Sequence, residues 1–307
     1  MGGAGGLFHG SDKPEELFRK VRESESKTGD QTFETEVGGY IGSLLAKYNE
    51  RSEIVREHLE TIKKALEKEI DGTVDLLFGG SVARHTYVDG ISDVDALVVL
   101  NKSELVDKSP EEVKGYFLNR LNVQLPNTLI EEGTLAVTVK YTDIEIQLLP
   151  ALRSKEGFRI ADSSGRGWSI IKPLKFAERL TRANQEMGGK LIPTIKLAKS
   201  IISALPKSRQ LEGYHTESLA IRIFQDYDGP KSPKAMLTHF FCNAGQHIKN
   251  PIKDVTGQSI YLDSYLGEAD SINRKVVGDS LTRIGRRMKN GDGARSLRQW
   301  QEILGGL

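Results

Sequence analysis

The residues with chemistry to offer gather in two stretches of the chain. In residues 76–100, LLFGGSVARHTYVDGISDVDALVVL, an apolar run meets Gly79-Gly80-Ser81, and a second apolar run opens with Asp93 and Asp95. Glycines let a phosphate approach the backbone closely, amides at a helix start bind anions, and the Ser81 hydroxyl can donate to a phosphate oxygen. Asp93 and Asp95, two residues apart at the start of a strand, project their carboxylates to one face. Adjacent carboxylates repel, and a divalent cation relieves that repulsion; Mg²⁺ takes one or two carboxylates together with substrate phosphates. In residues 143–149, Asp143 and Glu145 repeat the same spacing. If this segment pairs beside the Asp93/Asp95 strand, it completes a two-metal site with ions about 3.5–4 Å apart.

The elements that must position these groups follow from periodicity. Ile41, Leu44, Leu45, Tyr48, Val55, Leu59, Ile62, Leu66 and Ile70 recur at three- and four-residue steps, which predicts one long amphipathic helix ending near Asp71-Gly72. Residues 73–78, 94–100, 134–141 and 143–149 read as strands, with Pro150 ending the last. Ser109-Pro110-Glu111-Glu112 reads as a helix start with a capping box. Residues 151–169, with Gly157, Gly165 and Gly167, read as a loop, and 173–186, 190–204, 214–226, 232–242 and 271–289 as helices. The expected organisation is a flexible segment 1–32, a sheet-based catalytic core 33–170 and a helical lobe 171–307. The fold class is α+β: a mixed sheet with a long N-terminal spine helix, then a helical C-terminal lobe, with a cleft between the halves.

Gly80-Ser81, Arg84, Thr86, Asp93-Val94-Asp95 and the acidic strand ending Leu148-Leu149-Pro150-Ala151 resemble the polymerase-β-type nucleotidyltransferases, and over a longer span the cGAS/DncV-like nucleotidyltransferases (CD-NTases) of bacterial anti-phage (CBASS) systems. Gly167-Trp168 and Pro173, the segment 190–199 and the segment 211–219 extend the resemblance over roughly residues 35–290. The resemblance implies a polymerase-β-like core that binds nucleoside triphosphates, ATP foremost, and joins them into an adenine-containing cyclic di- or trinucleotide. It implies two Mg²⁺ (or Mn²⁺) ions on Asp93, Asp95 and a third carboxylate. Relatives carry that carboxylate three residues before the proline, where this chain has Gln147; Glu145 is the candidate in its place and Asp143 the alternative. Gly80, Ser81, Lys196, Lys199 and Tyr214 are the implied nucleotide contacts, and Gly213 stands where relatives have serine. Transfer of a nucleotide to an RNA or protein acceptor, and a non-catalytic nucleotide sensor, are the competing readings.

Composition narrows the partners. Lys plus Arg number 43 against 42 Asp plus Glu, so the net charge is +1 and bulk charge does not hold this protein to nucleic acid. Arg283, Arg286 and Arg287 would share a helix face, for which a regulatory protein partner is favoured over nucleic acid. One cysteine, Cys242, excludes an internal disulfide framework, and there is no run of eighteen apolar residues. The chain start lacks the marks of a secretory signal, and the expected location is cytoplasmic, away from membranes. His239, Cys242 and His247 give three local ligands where structural zinc takes four, so zinc is not expected there.

Overall fold

The apolar run of residues 96–100 becomes the body of the strand around which the sheet is built. The computed structural model describes residues 14–50, 52–67, 73–78, 80–89, 94–101, 104–142, 144–162, 164–254 and 261–305. Helices α1 (Pro14–Lys47) and α2 (Ser52–Glu67) come first, and strand β1 (Thr73–Phe78) is then followed by the short helix α3 (Gly80–Ala83). Then β2 (Val94–Asn101) runs antiparallel to β1, from Phe78↔Ala96 to Thr73↔Asn101. Helix α4 (Pro110–Gln124) and strands β3 (Leu129–Glu132) and β4 (Val137–Lys140) precede β5 (Glu145–Ser154), which lies parallel to β2 and antiparallel to β4. The far end of β5 pairs with β6 (Gly157–Ala161), and β6 with β7 (Trp168–Ile171).

Burial on both faces explains why β2 is apolar from Ala96 to Val99. Ala96 and Val98 pack with Ile146 and Leu148 against Val55, Leu59, Ile62 and Leu66 of α2 and Val113, Phe117 and Leu121 of α4. Leu97 and Val99 pack with Ala151, Phe158, Ile160 and Ile171 on the other face. The α4 start has the expected capping box: Ser109 accepts from the Glu112 amide while the Glu112 carboxylate accepts from the Ser109 amide at 2.8 Å.

The helical half comprises α5 (Pro173–Glu186), α6 (Leu191–Ser203), α7 (Gly213–Ile223), α8 (Pro233–His247), α9 (Ile272–Gly293) and α10 (Leu297–Ile303), which share one core with α1 through Phe33, Val37 and Ile41. Helices α8 and α9 approach closely because glycines face each other: a Cβ on Gly278 would lie 3.0 Å from the Gly245 carbonyl oxygen, and one on Gly285 would lie 2.8 Å from the Cys242 amide nitrogen.

Four expectations from the sequence are corrected. The long helix is two, broken at residues 48–51, because α1 packs on the helical half and α2 on the sheet half; its expected end near Asp71-Gly72 lies outside the described residues. The helix α1 begins at Pro14, inside the segment 1–32 expected to be flexible. That first part of α1 is polar because it is held by charge: Arg295 Nε lies 2.5 Å from Asp30, and Lys234 pairs with Glu34 and, at 2.7 Å, with Asp292. Strand β5 passes through Pro150 to Ser154, since Pro150 falls between the last β4 pair (Leu148) and the first β6 pair (Ala151), where a missing N–H removes no bond on that edge. Residues expected to be a loop form the β5–β6–β7 meander; Gly157 serves its first turn at φ +151°.

The glycine contact gives a test of the helical half. Gly285→Ala forces a Cβ against the α8 backbone and is expected to cost about 1–3 kcal/mol in denaturant unfolding at unchanged m-value. Gly42→Ala, exposed in α1 with nothing within 4 Å of the added Cβ, is expected to be neutral or to stabilise by roughly 0.5–1 kcal/mol.

Candidate active site

The turn that follows β1 is closed by its own backbone. The Thr86 amide donates to the Ser81 carbonyl at 2.9 Å and the His85 amide to Val82 at 3.1 Å, with His85 at φ 58° making the reversal. Ser81 is buried. This turn delivers Arg84 and Thr86 to the helical half, where both meet Glu217 of α7. Arg84 Nε donates to Glu217 Oε2 at 2.6 Å, and the Thr86 hydroxyl donates to Oε1 at 2.5 Å. Lys199 of α6 donates to the same Oε1 at 2.6 Å and to the Thr86 carbonyl at 3.2 Å.

Glu217 is fully buried, Lys199 is buried, and the Arg84 side chain is only 14% exposed. Burial pushes the Glu217 carboxyl up, but the charges of Lys199 and Arg84 outweigh it and hold the group below the ordinary range. Two cations and a hydroxyl around one carboxylate satisfy its lone pairs, the condition under which a buried charge is tolerated.

The nucleotide-contact candidates are distributed around this network. Lys199 is committed to Glu217. Lys196, also buried, donates to Asn49 Oδ1 at 2.5 Å in a cavity of about 230 Å³ bounded by Val55, Val82, His85 and Tyr87. Burial, then the Lys199 charge, lowers its pKa. Tyr214 is half-buried, its hydroxyl donating to Asp254 at 3.0 Å and its ring 4.5 Å from that of Phe176. The Arg84 guanidinium lies over both rings, at 5.3 Å from Phe176 and 5.8 Å from Tyr214. At Gly213 a Cβ would stand 3.4 Å from Lys199 Nζ, so the missing side chain leaves room for that lysine.

On the sheet, Asp95 sits in β2 in register with Gln147 of β5, and Glu145 lies two residues before Gln147, toward the start of β5. Glu145 opens β5 and is 61% exposed, 3.5 Å from Lys140, which also holds Glu131 at 2.8 Å. The expectation of a mid-strand, buried Glu145 is corrected accordingly: pairing with β4 starts at this residue. Asp93, Asp143 and Gly79 lie outside the described residues. Asp95 and Glu145 stand on neighbouring parallel strands, and carboxylates are the hard oxygen donors that Mg²⁺ takes.

The partners Asn49 and Asp254 carry no sequence signal because they come from segments far from Lys196 and Tyr214 in the chain, while Lys140 reaches Glu145 across the β4–β5 pairing. His239 packs its ring on Phe224 and Tyr227 at 5.6 and 4.6 Å. Arg274, grouped by sequence with the basic face, is fully buried and pairs with Asp263 at 2.7 Å, whereas Arg283, Arg286 and Arg287 are exposed.

Residues 45–184 match the family model of the Second Messenger Oligonucleotide or Dinucleotide Synthetase domain. The chain is 25% identical over 184 residues to the CCA-adding enzyme of Pyrobaculum aerophilum, a match covering 58% of this chain and only 42% of that enzyme. The fold is similar to that of CdnC in its complex with HORMA-deltaN from Escherichia coli MS115-1, with a TM-score of 0.63 at 16% identity, covering 86% of this chain and 96% of that one. It is also similar to DncV of Vibrio cholerae, a cyclic AMP-GMP synthase solved with a linear intermediate, with a TM-score of 0.61 at 11% identity, covering 96% and 89%. The α+β architecture expected from the sequence is the one these structures share. No helix among the described residues is long and apolar enough to cross a membrane.

Two outcomes test the buried network. Glu217→Ala strands two cations and is expected to cost about 3–5 kcal/mol of stability. His215, whose Nδ1 lies 2.8 Å from the Tyr265 hydroxyl, is held down to about 4 by burial, with Asp263 opposing and Arg274 assisting. Between about pH 6.5 and 4 the unfolded chain therefore binds a proton that the folded imidazole refuses, and stability falls as pH drops through that window, by on the order of 3 kcal/mol. Urea midpoints of wild type and His215→Gln across it are expected to converge at the acid end as the variant's slope flattens.

Proposed function

We propose that this cGAS/DncV-like nucleotidyltransferase joins nucleoside triphosphates into a cyclic oligonucleotide second messenger and releases pyrophosphate. The observation that carries the reading is the placement of Asp95: it lies in the central strand, and Glu145 lies on the parallel neighbour two residues before Gln147, the register partner of Asp95, within the matched synthetase domain. A ribose hydroxyl of one nucleotide attacks the α-phosphorus of another; the new P–O bond forms as the bond to the pyrophosphate breaks, and the hydroxyl proton leaves toward the carboxylates. Gly80 and Ser81 hold donor phosphates at the β1–α3 turn. Lys196 and Lys199 supply positive charge from the α6 side, and Tyr214 offers a ring on which a base can stack. Asp93, Asp95 and Glu145 would hold two Mg²⁺ or Mn²⁺ ions, whose chemistry there is to neutralise the reacting phosphates. A second joining in the same cleft closes the ring.

Adenine as one of the bases is supported by the likeness to DncV, named a cyclic AMP-GMP synthase. A role in anti-phage defence in the cytoplasm rests on the resemblance read from the motifs. A regulatory protein partner on the exposed Arg283, Arg286 and Arg287 is supported by the CdnC structure, which is a complex with a HORMA protein. The second reading, nucleotide transfer to an RNA end, is favoured by the match to a CCA-adding enzyme.

Incubation with labelled ATP, GTP, CTP and UTP plus Mg²⁺, with products resolved by mass, separates these readings; a cyclic product without added acceptor is expected. Asp95→Asn is expected to reduce product at least a hundredfold with an unchanged thermal melt. Glu145→Gln is expected to reduce it as well, whereas full activity in that variant would move the third-ligand role to Asp143. Labelled RNA in place of a cyclic product would establish the second reading instead.

A further inference from the structure

One turn past Tyr214, on the same face of α7, Ser218 opens onto a cavity of about 370 Å³ between α5, α7 and the segment 251–253. Its floor is apolar, from the buried Phe176 and Ile252. Arg179, Arg222 and Lys253 line it, all three exposed, and no carboxylate lines it among the described residues. None of the three cations makes a hydrogen bond or an ion pair among the described residues. The Ser218 hydroxyl is buried and has no hydrogen-bond partner there either.

Three uncompensated cations repel one another, and such an arrangement is stabilised by an anion that bridges them. Guanidinium groups match phosphate oxygens with paired donors, while the ammonium adds a point charge. The apolar floor lowers the local dielectric and strengthens each contact. We infer that this cavity is a polyphosphate site, formed by Arg179, Arg222 and Lys253 with Ser218 as a hydroxyl donor, and separate from the carboxylate end at Asp95 and Glu145. Its occupant carries two or more linked phosphates. Two sources share that chemistry: the triphosphate of a bound nucleotide, and free inorganic polyphosphate such as the pyrophosphate that the proposed reaction releases.

The site is tested by calorimetric titration of the whole chain with sodium triphosphate in EDTA, which leaves metal-dependent binding out. Wild type is expected to bind, and affinity is expected to fall as salt rises. Arg179→Ala/Arg222→Ala is expected to bind at least tenfold more weakly at an unchanged melting temperature, since both side chains are exposed and unpaired. Asp95→Asn is expected to bind like wild type. Equal binding by the double variant, or no binding by wild type, overturns the inference. ATP binding more than tenfold tighter than triphosphate identifies the nucleotide as the source, and equal affinities identify free polyphosphate. A protein that binds triphosphate here yet makes no cyclic product keeps this site and discards the proposed reaction.

Discussion

The two halves of the molecule are joined by one carboxylate. Glu217 collects Arg84 and Thr86 from the turn after β1 and Lys199 from α6. A charge taken fully out of water costs several kcal/mol unless its lone pairs are matched, so none of the four groups can move alone. The glycine-serine turn at 80–81 and the start of α7 with Tyr214 are therefore held in fixed relation, and the cleft they border inherits its shape from an ion network rather than from apolar packing alone. The Arg84 guanidinium extends the network onto the rings of Phe176 and Tyr214.

A second constraint acts at the break between α1 and α2. The Tyr48 hydroxyl donates to Ser200 at 2.8 Å, Asn49 accepts from Lys196, and the Asp89 amide donates to the Tyr48 carbonyl at 3.4 Å. Three segments meet where the chain passes from the helical half to the sheet half. The interruption of the apolar periodicity at residues 48–51 reflects that passage, because each helix serves a different core.

Much of the architecture was legible because it rests on local patterns. β1, β2, α4 with its capping box, and helices α5 through α9 follow from periodicity and end signals. The Asp93-x-Asp95 spacing marks the end of β2 on which the proposed acidic site would stand. What the sequence concealed depended on distant partners. The polar stretch before residue 33 reads as loose chain until Arg295, more than two hundred residues away, supplies a counter-charge to Asp30, with Lys234 holding Glu34 just past it. Pro150 looks like a strand end until the switch from β4 to β6 leaves a gap in pairing at that residue. Lys196 and Lys199 look like two equivalent lysines on one helix face, yet one faces an asparagine and the other a buried glutamate.

Gly213 has a consequence for exchanging residues among related chains. The side chain that the motif calls for would start 3.4 Å from Lys199 Nζ, the atom that neutralises Glu217. At that distance the Cβ is in ordinary contact, so a serine there would bring its hydroxyl oxygen beside the ammonium as a second acceptor. Exchanging the glycine for serine would thus divide the charge that Lys199 now gives to Glu217.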